Sequence, residues 1–215
     1  MPNNLKVQDA TVLVRPTSLY ADIEYDEISV FSTIVTSSEL TSQYYVPSQT
    51  SLENHIMEFI LGEGLEFRPY TEEELTEGTE NILAEGNKIG ETAEDAAKVI
   101  LKNALVKTKL RQVTNNNNEY VYELRYDYKL FPVESKTFDF QIRLPIDGKM
   151  PNGSKVALTV ITPKEATIDD KETKGLADNG ANIEEVKTKL KETGKLATEF
   201  SYQRDPHFTV RYKYK

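Results

Sequence analysis

Residues 119–131 read Glu-Tyr-Val-Tyr-Glu-Leu-Arg-Tyr-Asp-Tyr-Lys-Leu-Phe. Tyr120, Tyr122, Leu124, Tyr126, Tyr128 and Leu130 fall on one side of an extended chain, and Glu123, Arg125, Asp127 and Lys129 on the other. A side-chain period of two with one wet face is a half-buried antiparallel strand. Phe138, Phe140, Ile142 and Leu144 repeat the alternation against Asp139, Gln141 and Arg143, and Pro132 to Lys136 suits the loop between. Val156, Leu158 and Val160 follow a turn-rich segment from Asp147-Gly148 to Asn152-Gly153. Sequential strands usually pair, so these three predict an antiparallel meander in the C-terminal half. A last strand carries Phe208, Val210, Tyr212 and Tyr214.

The first half adds helices to this pattern. Thr92 to about Val113 carries Ala93, Ala97, Ile100, Leu101, Ala104 and Thr108 on one stripe, with Thr92-x-x-Asp95 as its capping signature. Leu52 to Leu61 reads as a short helix capped by Ser51 and stopped by Gly62-Glu63-Gly64. Thr71-x-x-Glu74 predicts a short capped helix, and Asn182-x-x-Glu185 another that buries Ile183, Val186 and Leu190 and ends at Gly194. Ala10 to Arg15 is β-branched and apolar. Glu27 to Thr36 alternates between two weakly polar sides, which predicts a strand covered on both faces. Pro163 to Gly180 reads as an irregular excursion, and Asn115 to Asn118 as an exposed turn. The expected fold class is α+β, mainly antiparallel sheet with two or three packed helices. Residues 1–9 form a flexible arm and 10–215 a single domain, with a possible subdivision near 114–118.

With 215 residues and no cysteine, the chain has length enough for a core and no means to form disulfides or thiolate metal sites. Met1-Pro2-Asn3-Asn4-Leu5-Lys6 lacks the apolar core of a secretory leader, and no apolar run reaches membrane-spanning length. The expectation is synthesis in the cytoplasm with no membrane partner. Residues 1–95 hold 19 acidic and 4 basic residues; residues 96–215 hold 16 and 22, for a net charge of −9. Acidity of this kind argues against nucleic acid as a partner. The asymmetry has two readings: charges that mix on one surface, or a bipolar molecule whose acidic end meets the basic end of a neighbour.

Chemistry-bearing motifs are sparse. No G-x-S-x-G elbow, phosphate loop or H-E-x-x-H pair occurs, and neither His55 nor His207 has the spacing of a triad. Asp22, Glu24 and Asp26 share one face of an extended chain, a weak candidate for an oxygen-ligated metal against the simpler reading of a solvated acidic face. No cofactor and no catalytic residue is expected. Seven of the twelve tyrosines lie in the basic half, and Tyr120, Tyr122, Tyr126, Tyr128, Tyr212 and Tyr214 with Arg211 and Lys213 are candidates for an interface, the alternative being a tyrosine-lined core. These features point first to a non-catalytic assembly protein that meets copies of itself or docks into a complex such as a virion, tail or appendage. The alternatives are a binding module for a glycan, peptide or protein, built around the loops from Asp147 to Ser154, and a carboxylate- or metal-dependent hydrolase.

Overall fold

The computed structural model describes residues 5–40, 43–48, 56, 59–60, 62–65, 68–79, 89–116, 119–143, 155–177, 179–202 and 207–215. The chain divides into two compact units, Met1–Leu40 with Arg111–Lys215, and Thr41–Leu110. The expected class is correct: α+β, with mainly antiparallel sheet.

The larger unit is built on β1 (Leu5–Arg15), β2 (Asp26–Thr36), β6 (Arg111–Asn116), β7 (Glu119–Leu130), β9 (Lys155–Thr162), β13 (Glu185–Lys189) and β14 (Leu196–Tyr202), in the order β13-β14-β9-β1-β2-β7-β6. All neighbours are antiparallel except β1 and β9, which run parallel with Val12 beside Val160. A second sheet gathers β8 (Thr137–Arg143), β10 (Ala166–Ile168), β11 (Lys174–Leu176), β12 (Asn182–Ile183) and β15 (His207–Tyr214). Strand β15 is its spine, with β8 on one side and β10 and β11 on the other.

One face of each sheet is apolar, and these faces meet. Val12, Val30, Leu124, Val160 and Phe200 are buried from the first sheet, and Phe138, Phe140, Phe208, Val210 and Tyr212 from the second. The Phe200 and Phe208 rings lie 5.0 Å apart between them. Gly175 on β11 packs so closely that a Cβ there would stand 2.9 Å from Ile183 Cβ and 3.3 Å from Phe200 Cδ1.

The smaller unit holds β3 (Gln43–Val46), β4 (Tyr70–Thr71) and β5 (Val106–Lys109) in the order β4-β3-β5, with α2 (Glu72–Thr76) and α3 (Ile89–Ala104). Tyr45, Ile60, Tyr70, Leu75, Ala97, Leu101 and Leu105 form its core. The Thr71 capping box forms as expected: Thr71 Oγ1 accepts from Glu74 N–H and Glu74 accepts from Thr71 N–H. Of the Leu52–Leu61 helix, Ile56, Phe59 and Ile60 are helical, and Gly64 at φ +78° ends the turn; Ser51, Leu52 and Leu61 lie outside the described residues.

Several expectations are corrected. The meander does not form, because β7 pairs β2 and β6, β8 pairs β15, and β9 pairs β1 and β14. Leu5–Asp9 belong to β1, not to an arm. The long helix begins at Ile89, before Thr92, and stops at Ala104; the chain then enters β5 and β6, where Val106 pairs Val46 and Lys109 pairs Gln43. Asn182 starts strand rather than helix, and Leu190 to Lys195 is the turn joining β13 to β14, with Gly194 at φ +68°. The excursion from Pro163 to Gly180 supplies β10 and β11 rather than irregular chain, and α1 (Thr17–Tyr20) is the only helix of the larger unit among the described residues. Asn115 and Asn116 are strand residues paired with Tyr120 and Glu119.

Candidate interaction surface

Asp26 opens β2 on the inner face and is fully buried. Its carboxylate accepts from Tyr212 Oη at 2.8 Å and Tyr214 Oη at 2.6 Å, both on β15, and from Ser18 Oγ at 2.6 Å and Ser18 N–H at 3.1 Å. Four donors replace the water that burial removes, and this is how a carboxylate is accommodated between sheets. Burial pushes the phenols of Tyr212 and Tyr214 up, and the Asp26 charge adds to the effect. The metal candidate therefore dissolves. Asp22 and Glu24 are exposed while Asp26 points into the core, and the described residues contain no cluster of three or more acidic or imidazole groups able to hold a metal.

The tyrosines proposed for an interface take the alternative reading. Tyr122, Tyr126, Tyr128, Tyr212 and Tyr214 are buried, and Tyr120 is half-buried. Desolvation raises the phenols of Tyr126 and Tyr128 as well. Arg211 clasps Asp139 with Nε and Nη2, each 2.5 Å from a carboxylate oxygen, a bidentate pair across β15 and β8. Lys213 is exposed beside Thr137 on the same outer face. His207 is half-buried on β15, and His55 lies outside the described residues, as do Asp147 to Ser154.

The charge asymmetry along the chain does not persist as two opposed regions. Early and late charges meet: Lys6 pairs Glu119 at 2.6 Å, Arg15 pairs Asp127 at 3.2 Å, and Glu72 receives Lys107 at 2.9 Å with Lys102 at 3.7 Å. The hydrogen bond from Lys107, then that from Tyr45, holds the Glu72 carboxyl below its ordinary value. Thr41–Leu110 carries 13 acidic and 6 basic residues, and the remaining chain 22 and 20, so the excess acid belongs to the smaller unit.

What sequence reading missed is the outer face of the seven-stranded sheet. Glu27 to Thr36 is covered fully on one side and partly on the other: Ser29 is buried, but Thr33 is exposed and Phe31 keeps 44% of its surface in contact with solvent. Phe31 lies between Thr11 on β1 and Arg125 on β7, and the Arg125 guanidinium sits 5.6 Å from its ring centre. Half-buried Leu13, Val35, Val121 and Ile161 share the face, and exposed Val186 stands at its β13 edge. The outer face of the second sheet is different in kind, carrying Asp139, Gln141, Lys174, Thr209, Arg211 and Lys213. The signal was present as the odd-numbered positions of β2, which are too apolar for an ordinary wet face.

No protein-family model matches the chain, and no curated protein matches it in sequence. Among the described residues no helix is long and apolar enough to cross a membrane.

Proposed function

We propose that this chain is a non-catalytic assembly subunit that associates with other copies of itself or docks into a larger protein complex. The observation that carries the reading is Phe31, a large aromatic left 44% exposed in the middle of a seven-stranded sheet. Aromatic side chains set among arginine and aliphatic neighbours are the composition of protein interfaces, where they supply contact area at small entropic cost. The polar groups that would serve chemistry elsewhere have structural work here. Asp26 ties two sheets together, and Asp139 and Arg211 tie two strands. The exposed sheet face, not the distribution of charge along the chain, supports this reading.

Light scattering on the intact chain and on Phe31→Ser, at low and high salt, tests the reading. Association that weakens in the variant and persists at high salt supports a face held by apolar contact. Equal masses for the two proteins would remove Phe31 from the interface.

A further inference from the structure

Asparagine followed by glycine is a chemically reactive pair. The main-chain nitrogen after an asparagine attacks its side-chain amide carbon, and glycine, with no Cβ, lets that nitrogen approach most closely. The chain contains the pair twice, at Asn152-Gly153 and Asn179-Gly180. Only the second lies among the described residues, where both members are exposed and stand between β11 and β12.

The geometry there favours the reaction and holds it back by one bond. Ala181 N–H donates to Asn179 Oδ1 at 3.1 Å. That oxygen takes up negative charge when the amide carbon is attacked, so the donor stands where an oxyanion is stabilised. Gly180 N–H, the attacking group, donates to Ala177 O at 2.8 Å, and Ala177 N–H donates to Ala181 O at 3.0 Å. Strands β11 and β12 share only two residue pairs, and the hydrogen bonds at the end of so short a hairpin open readily. Gly180 holds φ +76°, with no atom within 4 Å of where a Cβ would be, so nothing obstructs its rotation once its bond to Ala177 opens.

We propose that Asn179 is a self-modifying site that converts to isoaspartate by cyclising onto Gly180, and that the product loosens β12 from β11. Gly180 N forms a bond to Asn179 Cγ; the Cγ–Nδ2 bond breaks, and ammonia leaves with the proton that Gly180 gives up. Water then adds to the cyclic imide. Opening at Cγ gives aspartate, and opening at the main-chain carbonyl of Asn179 gives isoaspartate. In both cases amide and water become acid and ammonia. Isoaspartate routes the main chain through Cβ and Cγ and so adds one atom between Asn179 Cα and Gly180 N. The bonds from Ala177 to Gly180 and to Ala181 close around that stretch, and the extra atom strains both. Strand β12 depends on them. Among the described residues β11 is its only paired neighbour, with Gly175 beside Ile183 and Leu176 beside Asn182.

Peptide mapping of the intact chain over time, with fragmentation that separates isoaspartate from aspartate, tests the site. The folded chain should lose the Asn179 amide at a rate within about tenfold of that in urea, because a single hydrogen bond ties the attacking nitrogen. Isoaspartate should be the main product. Asn179→Gln, whose longer side chain would have to close a larger ring, should keep its amide. In the converted protein the Ile183 amide should exchange at least about tenfold faster than in fresh chain. Asn179→Asp, which gains the charge without the added atom, should exchange like fresh chain. A folded chain that keeps the Asn179 amide over many of the half-times measured in urea overturns the site. Conversion that leaves Ile183 exchange unchanged, or equal acceleration in Asn179→Asp, overturns the loosening of β12 by the lengthened chain.

Discussion

Tyr214 Oη donates a 2.6 Å hydrogen bond to the Asp26 carboxylate across 188 positions of chain. Tyr212 does the same from two residues earlier on the same strand, so one buried charge joins the first residue of β2 to the end of β15. A carboxylate in such a position is stable only with its donors in place.

Removing the carboxylate should therefore cost more than removing any single donor. Asp26→Ala is expected to lower unfolding free energy by about 3 kcal/mol or more, and Tyr214→Phe by about 1.5–3 kcal/mol. Urea unfolding followed by tyrosine fluorescence measures both. An Asp26→Ala protein as stable as the parent would mean that the cluster contributes little.

High pH should destabilise the fold through its phenols. Burial, reinforced by the charge of Glu74, pushes Tyr44 up to about 12, and Tyr126, Tyr128, Tyr212 and Tyr214 are also raised, chiefly by desolvation. A group raised on folding holds its proton more tightly in the native state. Its stabilisation is full below the unfolded phenol value of about 10 and is lost as pH rises from there through the folded value. Melting temperature should fall as pH rises above about 10. Tyrosinate absorbance should show only some of the 12 tyrosines titrating before the protein unfolds. Twelve phenols ionising together near pH 10 in a folded protein would contradict this.

Gly175→Ala should strain the packing of β11 against Ile183 of β12 and against the Phe200 ring. The new methyl would stand 2.9 Å from Ile183 Cβ, too close without backbone movement. Overpacking of this kind costs about 1–3 kcal/mol, read as a lower denaturation midpoint. Gly62→Ala, where nothing lies within 4 Å of the added carbon, controls for the loss of glycine.

Leu101→Ala should loosen the smaller unit, since Leu101 is fully buried in a core shared with Tyr45, Ile60 and Leu75. A loss of about 2–5 kcal/mol is expected, and amide exchange should accelerate in α3 and β5. Unchanged protection there would place the stability of this unit elsewhere.

How far these features were legible depended on whether they were local. The alternation in β7, β8 and β15 marked strands because burial on one face is written into each strand separately. Partner choice was not legible: the parallel pairing of β1 with β9 joins Val7 to Lys155, and nothing in either segment names the other. Asn182-x-x-Glu185 resembled a helix start, but Val186, Thr188 and the turn at Gly194 suit a hairpin, and pairing of β13 with β14 decided the outcome. Asp26 looked like one of three surface acids because its neighbours Asp22 and Glu24 are exposed; only the position of β15 shows that it is enclosed. Phe31 was visible as an apolar residue, and its exposure was not, since that depends on what the fold leaves uncovered.

The self-association arm of the proposed function comes down to whether the chain stays alone in solution. Sedimentation equilibrium on the unaltered 24.5 kDa chain is the most direct measurement. The predicted result is a mass that climbs with concentration toward twice the single-chain value. A mass fixed at one chain at every concentration and salt would contradict self-association outright.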